Sequence, residues 1–264
     1  MANKTSTAQK GIGYKIKNMT DTNMLLTITI VIFFLMYIGA IVFQGEGFLR
    51  PQTFLSMLNA NGALIITSCG MSLVMITGGI DISVGGVVAL VSMCSAVYLD
   101  YHNGSILGAV LISLGIGLAF GIVQGYLVAY LDIQPFIVSL AGMFFARGMT
   151  TIVNTNPFNV QNEAFVALKD TRVIVPGLGS VNKLGRYVDA YVEIGVVVAL
   201  LVVILMFIML RWTKLGRSFY AVGGNQQSAL MLGINVRRTK FLSHLICSLL
   251  AGIGGFVYFL HVGS

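Results

Sequence analysis

The chain has 264 residues, of which 56% are hydrophobic and only 9% are charged. A soluble domain carries about 25% charged residues, so these proportions exclude a water-soluble globule, a disordered chain and a nucleic-acid-binding protein. The formal net charge of +7 agrees with a membrane protein, because basic residues beside membrane spans orient them. The sequence therefore predicts a protein of the lipid bilayer.

The N-terminal part is predicted to be a basic tail, residues 1–23, followed by a span over residues 24–43. A membrane-crossing helix needs about 20 apolar residues, and this run has that length. The lysines of the tail favour its retention in the cytoplasm. No small-residue cleavage site follows the apolar run, so we expect an uncleaved anchor rather than a signal peptide.

The next two predicted spans meet at a glycine-rich break, which lies near Gly78 and Gly86. Uncharged residues run from Pro51 to Ile80, and a second apolar run follows Asp81. One interpretation is a helix broken at membrane depth, whose freed backbone groups must face protein or a water-filled cavity. The other is a cytoplasmic turn in which Asp81 caps the next helix. The residues alone leave both interpretations open.

Four further spans complete the predicted fold, an all-α polytopic membrane protein with about seven transmembrane helices. They cover residues 101–131, 136–153, 191–210 and 241–260. In the first of them, small residues recur every four positions and line one helix face, where another helix can approach closely. These small residues are Ala109, Ser113, Gly117, Gly121 and Gly125.

Two polar segments separate the later spans. Residues 154–190 form a long loop, and residues 211–240, called here the basic segment, contain six basic residues and no acid. Counting crossings from a cytoplasmic N-terminus puts the loop outside and the basic segment in the cytoplasm. The positive-inside rule predicts the same side for the basic segment.

Patterns of catalytic or metal-binding residues do not stand out in the sequence. Cys69, Cys94 and Cys247 lie in apolar runs without ligand spacing, which predicts small buried hydrophobic residues. We therefore predict no catalytic residue, no metal site and no cofactor. No nucleotide-binding loop of the form GxxxxGK(S/T) occurs, so any energy from ATP would come from another chain.

A short helix is predicted inside the basic segment. Asn225 is a good N-cap, residues 226–232 are compatible with a helix, and Gly233 suits the C′ position. A helix this short is unstable in water on its own, so it must pack against a partner protein or against the chain's own spans. The apolar side chains available for a partner belong to Ala229, Leu230 and Leu232.

Three motifs occur along the chain. Residues 77–85 read TGGIDISVG, residues 135–148 read PFIVSLAGMFFARG, and residues 216–234 read GRSFYAVGGNQQSALMLGI. In order and spacing they resemble the TGGIDLSVG, PAFIxTLGTMxxARG and GRxxYAIGGNxxAAxxSGI segments of bacterial ABC sugar-import permeases of the ribose, xylose and galactose type. The sequence of residues 140–145, LAGMFF, most resembles the corresponding segment of the galactofuranose-importer branch.

The resemblance implies a permease subunit that forms the sugar pathway and binds no cofactor. In that family, two permease subunits, identical or different, work in the lipid membrane with a cytosolic ATP-binding subunit and an extracytoplasmic sugar-binding protein. If the glycine-rich break builds a binding site, as broken helices do in transporters, the pathway residues are Thr77, Gly78, Gly79, Asp81, Ser83, Gly85 and Arg147. The residues implied to couple to the ATPase are Gly216, Arg217, Tyr220, Gly223, Gly224, Asn225, Ala229, Leu230, Leu232 and Gly233.

The chain departs from the family pattern at its C-terminus. Family members continue beyond the stretch matched by residues 251–264 into a segment of the form ELDAIAAVVLGG and further helices. We therefore expect a permease domain, residues 24–264, that is incomplete at its C-terminus.

The function favoured is the permease subunit of an ABC-type monosaccharide importer in the bacterial plasma membrane. One alternative is a stand-alone secondary transporter or channel, which has no need of a cytosolic docking helix; another is a non-functional truncated permease. An intramembrane enzyme would require a pair of reactive groups facing one cavity, for which Asp81 is the only candidate. Copurification with an ATPase separates the importer from the stand-alone transporter.

A charge pair is also predicted near the pathway, on condition that the glycine-rich break re-enters the bilayer. Asp81 and Arg147 would each be unfavourable by roughly 2.5 to 3.5 kcal/mol alone at the middle of a span. Arg147 follows Pro135 by about 18 Å of helix, which puts it toward the outer side. The alternative is that Asp81 caps a helix and Arg147 snorkels outward.

Overall fold

The computed structural model describes residues 21–45, 50–155, 159–181 and 187–263. Residues 1–20 of the predicted basic tail lie outside these ranges, as do residues 156–158 and 182–186 of the predicted outer loop. The chain divides into two units, Met1–Phe54 and Leu55–Ser264. The first unit contributes one long apolar helix, and the second contains the rest of the architecture.

The structure is almost entirely helical. In chain order the elements are α1 (Asp21–Gln44), α2 (Pro51–Ile76), α3 (Val84–Tyr101), α4 (Ile106–Ala129), α5 (Pro135–Val153), α6 (Glu163–Lys169), β1 (Arg172–Val181), β2 (Tyr187–Glu193), α7 (Ile194–Trp212), α8 (Lys214–Gly224), α9 (Gln226–Met231) and α10 (Val236–Val262). Within the described ranges, seven helices are long and apolar enough to cross a membrane, namely α1 to α5, α7 and α10. This confirms the predicted all-α polytopic fold.

The centre of the second unit is the contact between α4 and α10. The small residues predicted to line one face of α4 are all buried. A Cβ atom on Gly117 would lie 2.6 Å from the Ser248 carbonyl oxygen of α10, and one on Gly252 would lie 2.5 Å from the Ser113 carbonyl oxygen of α4. The two backbones therefore touch, which confirms the predicted role of the small residues.

The helix ends collect into two groups. At one end, called the basic end, the α2–α3 turn, the α4–α5 turn and the basic segment line a common cavity of about 220 Å³. At the other, called the hairpin end, Asn162 Nδ2 donates to the Leu99 carbonyl oxygen at 3.2 Å, and His261 Nδ1 lies 2.8 Å from Glu193 Oε2. Successive long helices of the second unit thus alternate in direction, as the crossing count predicts.

The predicted outer loop contains more structure than its polar composition indicates. It forms α6 and an antiparallel hairpin in which Arg172 pairs with Glu193, with an irregularity between Val175 and Ser180. The Arg172 guanidinium lies 4.3 Å from the centre of the Tyr191 ring. Because β2 extends to Glu193, α7 begins at residue 194 rather than at the predicted residue 191.

The last helix also begins earlier than predicted, at Val236 instead of residue 241. The Asn235 side chain accepts the backbone N–H of Arg238 at 2.9 Å, which makes Asn235 the N-cap of α10. The basic residues at 237, 238 and 240 therefore belong to the first turns of a helix that extends past the membrane span.

The three free cysteines differ in burial. Cys247 is buried on α10, whereas Cys69 on α2 and Cys94 on α3 are partly exposed. The prediction of three buried cysteines is therefore right for Cys247 and wrong for the other two. Both of these stand at the edge of a buried helix face rather than at its middle.

Candidate functional site

The glycine-rich break forms a turn between α2 and α3 at the basic end. α2 ends at Ile76, and Gly78 has a φ of +81°, a left-handed conformation that glycine adopts without steric penalty. The end of the break packs beside the middle of α5, where a Cβ atom on Gly142 would lie 3.3 Å from the Ser83 Cβ atom. The polar side chains of the break are buried, those of Thr77, Asp81 and Ser83. We call residues 77–83 the polar turn.

Asp81 holds the polar turn together and has no exposed surface. Its Oδ1 accepts hydrogen bonds from the Ser83 backbone N–H at 3.0 Å and from the Ser83 hydroxyl at 2.6 Å. Ser83 itself is the N-cap of α3. Ser83 makes no side-chain capping bond, and Asp81 accepts the N–H of this N-cap residue rather than an N–H of the first turn of α3.

Gln124 of α4 connects the polar turn to two further helices. Its Nε2 donates to the Ser83 hydroxyl oxygen at 2.9 Å, and its side chain is buried. The same Nε2 also packs against Gly142 of α5. A Cβ atom on Gly142 would collide with it. Buried polar groups need such partners, because an unpaired amide away from water costs several kcal/mol. The hydrogen bonds thus join α3 to α4, beside α5.

The N-terminal half of α10 lies on the other side of the polar turn. The hydroxyls of Thr77 and Ser243 are 3.2 Å apart, and a Cβ atom on Gly79 would lie 3.6 Å from the His244 ring. Among the described residues, three buried polar atoms have no hydrogen-bond partner. They are Asp81 Oδ2, His244 Nε2 and Ser248 Oγ.

The predicted Asp81–Arg147 pair does not form in this structure. Arg147 is exposed on α5 while Asp81 is fully buried, and no Arg or Lys of the described residues lies within 4.0 Å of an acidic side chain. The prediction required the break to re-enter the bilayer. Gly86, at the end of the break, packs against Ala146 of α5, but the next residue, Arg147, is exposed and is not paired with Asp81.

A mostly apolar cavity of about 400 Å³ lies between α4 and α5. Gln124 is the polar side chain of its wall, and the rings of Phe120 and Phe145 lie 6.0 Å apart beside it. Apolar walls with a few polar groups that fix orientation are typical of small-molecule sites. The cavity is lined by Ala119, Phe120, Val123, Gln124, Leu127, Val138, Ala141, Gly142 and Phe145.

Sequence reasoning missed Gln124 and His244. Each is an isolated polar residue in an apolar span, and that isolation is the signal that could have found them, because such residues face the bundle interior. Of the predicted pathway glycines, Gly79 lies beside Val74 and His244. Gly85 is exposed in the first turn of α3 and is not part of the polar network.

The first half of the basic segment is α8, which rests on the end of α2. Thr213 caps α8 by accepting the Gly216 N–H at 3.2 Å, and one face of the helix, with Phe219 and Val222, is buried. A Cβ atom on Gly223 would overlap the Ile76 carbonyl oxygen. The basic segment therefore contacts the polar turn directly, through backbone atoms.

The second half is α9, which confirms the predicted short helix. Asn225 Oδ1 accepts the Ser228 N–H at 2.9 Å at the N-terminus. At the C-terminus, Gly233 has a φ of +76°, and the Ile234 N–H donates to the Ala229 carbonyl oxygen at 3.0 Å. Together with the bond from Gly233 to Leu230, this is the Schellman arrangement expected of a C′ glycine.

α9 packs on its own chain through one face and exposes the opposite face. Ala229 is 1% exposed and packs on Val222 and Val236, so its predicted contact with a partner protein is wrong. Leu230 and Leu232 are exposed, at 59% and 76%. Met231, which the sequence analysis passed over, is 88% exposed. Three consecutive apolar side chains thus point away from the protein.

The described ranges contain no group of three His, Cys, Asp or Glu side chains placed to hold a metal ion. Ionisable residues buried among membrane spans, here Asp81 and His244, mark substrate or ion pathways. Residues 53–264 match the family described as "Branched-chain amino acid transport system / permease component". The chain belongs to this permease family.

Three curated relatives show the range of similarity. The chain is 33% identical to the fructose import permease protein FruG of Bifidobacterium longum, over 100% of this chain and 74% of the relative. It is 30% identical to the ribose import permease protein RbsC of Escherichia coli, over 84% and 66%. It is 30% identical to the galactofuranose transporter permease protein YtfT of Escherichia coli, over 77% and 55%. No solved structure matches the chain.

Proposed function

We propose that the chain is the membrane-spanning permease subunit of an ATP-driven importer of a monosaccharide in the bacterial plasma membrane. The observation that carries the proposal is α9, a well-capped helix that presents Leu230, Met231 and Leu232 outward at the basic end. Exposed apolar patches of this kind mark protein contacts. Their partner is the ATP-binding subunit, and the permease itself makes and breaks no bonds.

The basic end faces the cytoplasm in this proposal. The basic segment carries six basic residues without an acid, and such loops stay inside. The hairpin end then faces outward, where an extracytoplasmic sugar-binding protein can reach it. By the crossing count the N-terminus is also cytoplasmic. A second permease subunit, identical or different, completes the pathway.

A movement of the ATP-binding subunit can be transmitted to the polar turn through residues that pack directly against each other. α9 packs through Ala229 on α8 and on the start of α10, and α8 touches the end of α2 at Gly223. The polar turn follows immediately and is hydrogen-bonded through Ser83 to Gln124 in the wall of the α4–α5 cavity. Closure of the ATP-binding subunits would therefore shift the polar turn and the cavity wall together.

The lining of the α4–α5 cavity favours a neutral sugar over an amino acid. Among its lining residues there is no charged side chain, and Gln124 supplies the hydrogen-bonding group. An amino acid carries an ammonium and a carboxylate, and burying either without a partner of opposite charge is strongly unfavourable. A monosaccharide carries no charge and avoids this penalty. The sugar-import names of the relatives support the same substrate class.

Replacing Leu230 and Leu232 with aspartate tests the proposal. We expect copurification of the ATP-binding subunit to fall at least tenfold, because two charges would enter the centre of an apolar contact, where single residues often contribute more than about 1.4 kcal/mol. The measurement is the amount of ATP-binding subunit retained per permease after purification in detergent.

A matched control tests whether the loss is specific to α9. Ile174 and Leu178, two exposed apolar residues of the hairpin, are replaced with aspartate in a second variant, which should retain the ATP-binding subunit. Unchanged retention by the Leu230/Leu232 variant at normal membrane levels would refute the proposed contact and favour a stand-alone transporter.

A further inference from the structure

A cavity lined by two arginines lies where α7 meets α8. The end of α7 and the middle of α8 enclose this cavity of about 420 Å³, called here the arginine pocket. Its walls are Phe207, Leu210, Arg211, Arg217 and Tyr220. Two guanidinium groups and a phenol therefore share one cavity with two apolar side chains.

The fold of α8 explains why these side chains meet. Its buried face carries Phe219 and Val222, and Arg217 and Tyr220, three residues apart, lie together on a neighbouring exposed face. Gly216 packs against the Leu210 carbonyl oxygen, which brings the start of α8 onto the end of α7. Arg217 and Tyr220 therefore face α7, whereas the exposed leucines belong to α9.

The pocket continues an apolar stripe on α7. Leu200, Ile204 and Phe207 are exposed, and Arg211 follows them at helical spacing, so all four share one face of α7. Trp212, 65% exposed, packs edge-on against Phe207 at 5.9 Å. Aromatic residues of this kind collect at membrane–water boundaries. The stripe and the pocket thus run from the hydrocarbon core to the headgroup region.

The positive charge of the pocket is unbalanced. Both arginines are exposed, and within the described ranges neither forms an ion pair with an acidic side chain. Arginine binds phosphate oxygens through two parallel N–H bonds. Basic pockets beside membrane helices on the cytoplasmic side are suited to anionic lipid headgroups.

We propose that the arginine pocket binds the phosphodiester headgroup of an anionic phospholipid of the adjacent leaflet. Arg211 and Arg217 hold the phosphate, the Tyr220 hydroxyl donates to it, and the acyl chains lie along Phe207 and the α7 stripe. The inference requires only that α7 spans the membrane, and it is independent of the proposed sugar transport. It assigns Arg217 and Tyr220 to the lipid rather than to the ATP-binding subunit.

Lipid titration of the purified protein in detergent, followed by native mass spectrometry, tests the site. The probes are phosphatidylglycerol, phosphatidylcholine with the same acyl chains, and soluble glycerol 3-phosphate. We expect preferential binding of phosphatidylglycerol. Replacing Arg211 and Arg217 with glutamine should weaken it by about thirtyfold, the equivalent of about 2 kcal/mol for two charges at the membrane surface.

Control variants separate the pocket from general positive charge. The Arg237→Gln, Arg238→Gln variant removes the same charge at the same end and should change binding less than twofold. The Arg211→Lys, Arg217→Lys variant keeps the charge, guards against misfolding of the glutamine variant, and should give an intermediate affinity because bidentate bonding is lost.

Several results would overturn the inference. Equal losses in both glutamine variants would show a diffuse charge effect, and equal binding of phosphatidylcholine would show a site for acyl chains alone. Binding of glycerol 3-phosphate as tight as that of phosphatidylglycerol would indicate a free phosphate ligand. A glutamine variant at Arg211 and Arg217 that keeps the lipid and loses the ATP-binding subunit would assign the pocket to the protein partner.

Discussion

Replacing Gly117 with leucine is expected to lower the free energy of unfolding by more than about 3 kcal/mol. A Cβ atom at Gly117 would already lie 2.6 Å from the Ser248 carbonyl oxygen and 3.2 Å from the Leu249 Cα atom of α10. Both neighbours are backbone atoms, so the leucine fits only if α4 and α10 separate. Reversible unfolding of the purified protein in detergent micelles measures the loss.

Gly115 supplies the control on the same helix. It is exposed, and a Cβ atom there would meet no other atom within 4 Å. Gly115→Leu should therefore change stability by less than about 0.5 kcal/mol, the usual range for surface substitutions. Similar losses for the two variants would mean that the α4–α10 backbone contact does not hold the second unit together.

Replacing Gly223 with alanine is expected to reduce transport strongly while leaving the helices inserted. The added methyl group would overlap the Ile76 carbonyl oxygen, so α8 must move away from the end of α2. That displacement breaks the direct packing between the basic segment and the polar turn. We expect ATP-dependent uptake to fall at least tenfold, equivalent to about 1.4 kcal/mol, at unchanged membrane levels.

The neighbouring glycine gives a matched comparison for this variant. A Cβ atom on Gly224 would have no neighbour within 4 Å, so Gly224→Ala should transport normally. Uptake is measured in vesicles that contain both partner proteins. Equal uptake by the Gly223 and Gly224 variants would exclude a tight contact between α8 and α2 as the route of coupling.

The long-range architecture was readable from the sequence because lipid imposes a simple requirement. Charge-free runs of sufficient length must become helices, and all seven predicted spans are present. Errors arise at boundaries where local capping competes with hydropathy. Capping by Asn235 makes α10 begin at Val236, before the predicted residue 241. Residues 191–193, predicted to begin the sixth span, belong to strand β2.

The candidate site was only partly predictable, because its members come together from distant parts of the chain. Thr77, Asp81 and Ser83 share a recognisable motif, but Gln124 joins Ser83 from 41 residues away. The orientation of a lone residue in an apolar span cannot be read from spacing alone. Burial against other parts of the chain was equally unreadable, which is why Ala229 and Asp81 are buried whereas Arg147 is exposed.

The most direct test of the account is substrate uptake by membrane vesicles that contain the permease, its ATP-binding subunit and its binding protein. The vesicles receive ATP together with either labelled monosaccharides or labelled branched-chain amino acids. The account predicts ATP-dependent accumulation of a monosaccharide, which is lost when Leu230 and Leu232 are replaced with aspartate. Accumulation of an amino acid instead, or of sugar without ATP, would contradict it.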